Sequence, residues 1–67
     1  MKNIKKMFRP GTKVRLIKMD DLQAPPAGTV GIVEFVDDAD QIHVKWSTGS
    51  SLALIDKIDE FTIVEDN

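Results

Sequence analysis

The chain has 67 residues, of which 42% are hydrophobic and 30% charged, a balance typical of one small folded domain and too apolar for a disordered segment. It contains no cysteine and one histidine, which excludes disulfides, thiolate metal sites and a histidine cluster for a metal. Its apolar runs are too short for a transmembrane helix or a secretory signal, so we expect no membrane contact and a cytoplasmic location. Because so small a domain is only marginally stable, self-association into a homo-oligomer is kept as an alternative to a monomer.

The net charge of −2 hides a segregation of charge along the chain. Seven lysines and arginines lie within residues 1–19 without an acid, whereas all eleven acids follow, against only Lys45 and Lys57. The basic segment could contact phosphate or an acidic partner, or the acids of neighbouring strands could neutralise it. The candidate partner-binding cations are Lys5, Lys6, Arg9, Lys13, Arg15 and Lys18.

Residues 1–9 are predicted to form a basic N-terminal arm, separate from a domain at residues 10–65. Ile4, Met7 and Phe8 have the spacing that puts three side chains on one face of a helical turn. The arm is therefore predicted to be flexible or a short helix, and these three residues are its candidate docking residues, which could insert into a groove of a neighbour. Pro10 and Gly11 then turn the chain.

Alternation of hydrophobic and polar residues predicts five short strands. They fall at residues 12–19, 29–36, 41–47, 51–55 and 61–64, and residues 56–59 predict a single 3₁₀ turn before the last strand. The third strand is the clearest, with Ile42, Val44 and Trp46 on one face, so we expect Trp46 in the core and not on the surface as a stacking platform. In the second strand, Val33 and Phe35 are predicted to share a face, and Gly31 indicates a kink or a close backbone approach.

In the first strand, Lys13 and Arg15 alternate with Val14 and Leu16, which places the two cations on the solvent side. Five short strands with tight turns favour a small barrel or sandwich, and closure of so small a sheet would remove its exposed edges.

Residues 10–16, 28–33 and 42–46 resemble the pattern of KOW-type SH3-like barrels, in which a Gly-x-x-Gly pair opens the second strand after a long loop. The run from 10 to 64 resembles more closely a family of short bacterial domains of unknown function, with a PGTxVRLI start, an acidic-proline loop, IHVKW, GSSLALI and a DxF ending. The resemblance implies an all-β fold, a small five-stranded SH3-like barrel. KOW-type domains contact RNA or protein, and the family of unknown function implies no activity.

The residues needed for catalysis are not brought together by the sequence. The single histidine, His43, is predicted to be exposed on its strand, and the acids cluster in turns, where they bond to the backbone. No glycine-rich loop leads into a helix that could hold a nucleotide. We therefore expect that the protein is not an enzyme and that it binds no cofactor, metal or small-molecule substrate.

These observations favour a non-catalytic binding module with one of two partners. A protein partner or self-association is placed first, because residues 20–67 carry nine more negative than positive charges (eleven acids against two lysines) and oppose nucleic acid. The alternative is nucleic-acid binding, in which the basic first strand and the arm contact RNA or DNA phosphates.

Overall fold

The computed structural model describes residues 3–64, which form a five-stranded antiparallel sheet and one short helix. The elements are α1 (Ile4–Met7), β1 (Lys13–Lys18), β2 (Val30–Val36), β3 (Gln41–Trp46), β4 (Leu54–Ile55) and β5 (Glu60–Ile63). The strands lie in the order β4-β3-β2-β1-β5, so the last strand returns to pair with the first. The prediction of a mostly β fold with five strands is confirmed.

The prediction of a closed barrel is wrong, because β4 and β5 lie at opposite edges of the sheet and make no contact. β4 has only two residues, which pair with Gln41 and Ile42 of β3. So short a strand offers too few backbone groups to form a second ladder that would join it to β5. Within residues 3–64, the sheet therefore keeps two open edges.

The core lies on one face of the sheet and consists of nine buried hydrophobic side chains. They are Ile4, Phe8, Val14, Leu16, Val33, Ile42, Val44, Trp46 and Leu54. The prediction that Trp46 belongs to the core is correct: its side chain is 2% exposed. The indole Nε1–H donates to the carbonyl of Leu52 at 2.9 Å, and this hydrogen bond holds the segment that leads into β4 against the core.

The helix α1 covers this same face, although it has only four residues. The Asn3 side chain caps it by accepting from the Lys6 backbone N–H at 3.2 Å. So short a helix is unstable by itself, and it is held here by Ile4 and by Phe8, whose ring lies 5.3 Å from that of Phe61.

A β-bulge in β2 changes the predicted facing of its side chains. The register of β2 on β3 shifts between Val33 and Phe35, so that Val33 lies opposite Val44 and Phe35 opposite His43. The extra residue in the bulge, Glu34, turns the chain so that Val33 is buried whereas Phe35 is exposed. The expectation that these two side chains share a face is therefore wrong.

The predicted 3₁₀ turn lies between β4 and β5. At the predicted 3₁₀ turn, the chain forms a turn in which the Ile58 N–H donates to the Ile55 carbonyl at 3.0 Å. The Asp59 carboxylate closes it by accepting from the Ile55 N–H at 2.8 Å. Residues 1–2 of the predicted arm and residue 65 of the predicted domain lie outside the described residues.

Candidate binding surface on the open face of the sheet

The face of the sheet opposite the core carries a row of cations and apolar side chains. Lys13 of β1 lies opposite Ile32 of β2, which in turn lies opposite Lys45 of β3. Two strand spacings of about 4.8 Å each put the two lysine backbones roughly 10 Å apart, with Ile32 between them. Arg15 follows on the same face, because it alternates with the buried Val14 and Leu16.

We call this surface the open face and define it by six residues. They are Lys13, Arg15, Ile32, Phe35, His43 and Lys45. Of these, Lys13 and His43 are half-buried and the other four are exposed. The exposed fraction is 40% for Ile32 and 49% for Phe35, so the open face offers apolar as well as charged contacts.

Phe35 and His43 form a stacked pair on the open face. Their ring centroids are 4.3 Å apart and the ring planes are inclined by only 10°. The Nε2 atom of His43 also lies 2.9 Å from a carboxylate oxygen of Asp37. His43 is thus half-buried and not simply solvated, which corrects the sequence expectation; the bulge brings Phe35 against one face of the ring, and the hairpin brings Asp37 to its edge.

Asp37 holds the β2–β3 hairpin as well as the histidine. Its Oδ1 accepts from the backbone N–H groups of Ala39 and Gln41, each at 2.9 Å. The hydrogen bond with His43 and then the backbone hydrogen bond from Gln41 lower the pKa of Asp37 below its ordinary value. The carboxylate therefore stays ionised and keeps the His43 ring in one orientation.

The three candidate partner-binding cations of the arm lie on a different surface from Lys13 and Arg15. Lys5, Lys6 and Arg9 line an open depression beside α1, and α1 packs on the core face of the sheet. Lys5 forms an ion pair with Asp38 at 2.9 Å, and this hydrogen bond and the charge of Asp38 raise the pKa of Lys5. The charge of Lys5 is therefore neutralised by an acidic neighbour, Asp38, which is one of the two outcomes considered from the sequence.

The sixth predicted cation, Lys18, has acidic surroundings. It pairs with Glu60 in the β1–β5 ladder, after a bulge in β1. An open depression beside it is lined by Lys18, Asp20, Asp56, Lys57, Ile58, Asp59 and Glu60. The six predicted cations are thus divided among three places, and only Lys13 and Arg15 belong to the open face.

The predicted docking residues of the arm are also separated. Ile4 and Phe8 are buried in the core of their own chain, whereas Met7 is exposed. Ile4 and Phe8 would have to leave this core before they could insert into a neighbour.

Sequence reasoning missed four residues of the open face, which are Ile32, Phe35, His43 and Lys45. Alternation puts Lys45 and His43 on the polar side of their strand, but only the strand register brings Lys45 into one row with Lys13. Placing Phe35 on the open face required knowledge of the bulge in β2.

The part of the chain that the structure describes contains no cluster of three potential metal ligands and no helix long and apolar enough to cross a membrane.

The chain was compared with protein families, curated proteins and solved structures. The model of the family DUF4314, a domain of unknown function, matches residues 1–64. The chain belongs to this family. The expected membership of a domain family of unknown function is thereby confirmed, whereas the KOW-like resemblance of this DUF4314 domain stays a prediction. No curated protein and no solved structure matches the chain.

Proposed function

We propose that this DUF4314 domain is a non-catalytic binding module whose open face binds nucleic-acid phosphates. The observation that carries the proposal is the row of Lys13, Ile32 and Lys45 across three strands, with Arg15 beside it. Cations at a fixed spacing on a sheet suit a phosphate backbone, and contacts of this kind do not depend on base sequence.

The positions of the acids are more compatible with nucleic-acid binding than the net charge of the chain suggests. The three central strands carry four cations and a single acid, Glu34 in the bulge. Many of the other acids lie in turns, such as Asp38 in the β2–β3 hairpin and Asp56 and Asp59 before β5. Because the Debye length is about 10 Å at 0.1 M salt, a bound strand is influenced mainly by the charges of the face that it contacts.

The proposal is tested by neutralising two cations of the open face. We expect Arg15→Gln combined with Lys45→Gln to weaken binding of a fluorescent oligothymidine about tenfold or more at low salt. The slope of log K against log salt should become shallower by about 0.7 for each phosphate that the double variant no longer neutralises. Fluorescence anisotropy across a salt series measures both quantities.

Lys6→Gln combined with Arg9→Gln is the matched control, because it removes two positive charges from the helix side of the molecule, where both residues are exposed. It should leave the salt slope almost unchanged. Wild-type protein that does not bind the oligonucleotide even at low salt, or a double variant with the wild-type slope, would contradict the proposal.

Self-association is a second candidate, favoured by the open edge at β5. β5 pairs with β1 on one side only, and the exposed hydrophobic residues Ile58 (71%) and Ile63 (42%) lie before it and at its end. An exposed strand edge with apolar neighbours can pair with the same strand of a second copy. Such a dimer would extend the sheet and compensate for the small core.

A lysine at this edge is expected to prevent the pairing. Ile63→Lys should convert a concentration-dependent dimer into a monomer, because the two-fold arrangement brings the new charges of both copies together. Ile55→Lys, at the opposite edge of the sheet, is the control and should leave the dimer intact. Light scattering over a range of concentrations measures the mass, and a wild-type monomer at every concentration would exclude this candidate.

The SH3-like character of the fold belongs to the same proposal. The bulges in β1 and β2 and the glycine at position 31 are features that curve a sheet as a small barrel requires. The sheet with its unjoined edges β4 and β5 is then interpreted as an open form of that barrel.

A further inference from the structure

Phe35 is an aromatic residue that the fold keeps exposed at one end of the open face. Its side chain is 49% exposed, whereas Phe8 and Trp46 are buried and Phe61 packs against the core. The bulge at Glu34 is what directs the Phe35 ring away from the core. The protein therefore uses an irregularity of β2 to display an aromatic ring beside the cations.

One side of the Phe35 ring is covered, and about half of the side chain remains exposed. His43 of β3 covers one ring face at a centroid distance of 4.3 Å. Towards β1, the pairing of β2 continues as far as Val33, whose carbonyl accepts from the Gly11 N–H and whose N–H donates to the Thr12 carbonyl. Because Phe35 remains 49% exposed beside His43, a flat ligand can reach the part of the ring that His43 does not cover.

The pair is also held in place before any ligand binds. Asp37 fixes the His43 ring through its 2.9 Å contact with Nε2, and is itself held by two backbone N–H groups of the hairpin. A ring that stacks on a fixed neighbour loses little conformational freedom on binding.

A cation of the open face lies at a suitable distance from the pair. Lys45 is two residues from His43 along β3 and on the same face, a separation of roughly 7 Å at about 3.3 Å per residue. A phosphate at Lys45 would leave the base of the same or the next nucleotide within reach of Phe35.

We infer that Phe35 is a base-stacking position and that the open face takes single-stranded nucleic acid in preference to duplex. This inference rests on the proposed function and adds to it the class of nucleic acid. Bases in a duplex are already stacked on each other and offer no face to a protein ring, whereas those of a single strand do. Phosphate contacts alone would bind both forms.

The test compares ligands of equal length on the unaltered protein. The probes are an oligothymidine of about 15 nucleotides, the same sugar-phosphate chain without bases, and the oligothymidine paired with its complement. Fluorescence anisotropy at fixed low salt should show the oligothymidine bound about tenfold more tightly than the chain without bases. It should also be bound more tightly than the duplex.

Phe35→Leu should reduce the affinity for oligothymidine to that for the chain without bases, and should leave the affinity for the latter and the salt slope unchanged. Ile58→Ala is the matched control, because it removes an exposed apolar side chain that lies outside the open face, and the preference for bases should survive it.

Equal affinity of the wild-type protein for the chains with and without bases would overturn the inference while leaving phosphate binding in place. A base preference that persists in Phe35→Leu would overturn the assignment to Phe35. Failure of all three probes to bind would overturn the proposed function, and the stacking position with it.

Discussion

Replacing Trp46 by alanine is expected to unfold the domain. Trp46 is the largest fully buried side chain and is 2% exposed. Removal of a buried tryptophan costs about 3–5 kcal/mol, which equals the ~3–5 kcal/mol that a core of this size supplies in total. The variant should therefore lack a cooperative urea transition, as followed by far-ultraviolet circular dichroism.

Trp46→Phe tests the indole hydrogen bond while it keeps an aromatic ring in the core. It keeps an aromatic side chain but leaves the Leu52 carbonyl without its indole donor, so we expect a folded protein of lower stability. Ile55→Ala, at the edge strand β4, should change the urea midpoint much less, because the Ile55 side chain is exposed. A Trp46→Ala protein with the wild-type midpoint would show that the core does not depend on this residue.

Adding a single methyl group at Gly31 is also expected to destabilise the domain, by less than the removal of Trp46. A β-carbon there would overlap with Cγ1 of Val44, and it would lie 2.8 Å from Cε3 of Trp46 and 3.0 Å from the Lys45 carbonyl oxygen. Alanine is favoured over glycine in a strand by about 0.5–1 kcal/mol, but forcing extra atoms into a packed core costs about 1–3 kcal/mol or more. We therefore expect Gly31→Ala to be destabilised, with a lower urea midpoint.

The cause of that destabilisation is tested by a double-mutant cycle. Val44→Ala removes the atom closest to the new methyl group, so Gly31→Ala should cost less in the Val44→Ala background than in the wild-type protein. Ile32→Ala, next in sequence but on the open face, serves as the control for a change outside the core. Strict additivity of the two core substitutions would mean that the methyl group is not in conflict with Val44.

Much of the fold follows from short stretches of sequence. The alternation of Val14 and Leu16 with cations, and of Ile42, Val44 and Trp46 with polar residues, correctly identifies five of the nine buried side chains. At Gly31, where the sequence predicts a kink or a close backbone approach, the side chains of Val44 and Trp46 occupy the space that a side chain of residue 31 would take. Alternation is reliable where a strand has no bulge, because successive side chains of a regular strand point to opposite faces, whatever the strand pairs with.

The candidate site is only partly predictable. Alternation correctly puts Lys13 and Arg15 on the solvent side, but four of the six predicted cations lie elsewhere, on the helix side or beside the acids before β5. The sequence could not show that Lys5 meets Asp38, because the two residues are 33 positions apart in the chain.

The sequence by itself determined the number of strands, the core-facing residues of β1 and β3, and the membership of the DUF4314 family. Only the tertiary structure decided the open edges, the row from Lys13 to Lys45 and the exposure of Phe35. The side-chain period is a local property of one extended segment, whereas register, bulges and closure depend on which backbone groups of distant segments pair. One extra residue in β2 is enough to move an aromatic ring from the core face to the open face.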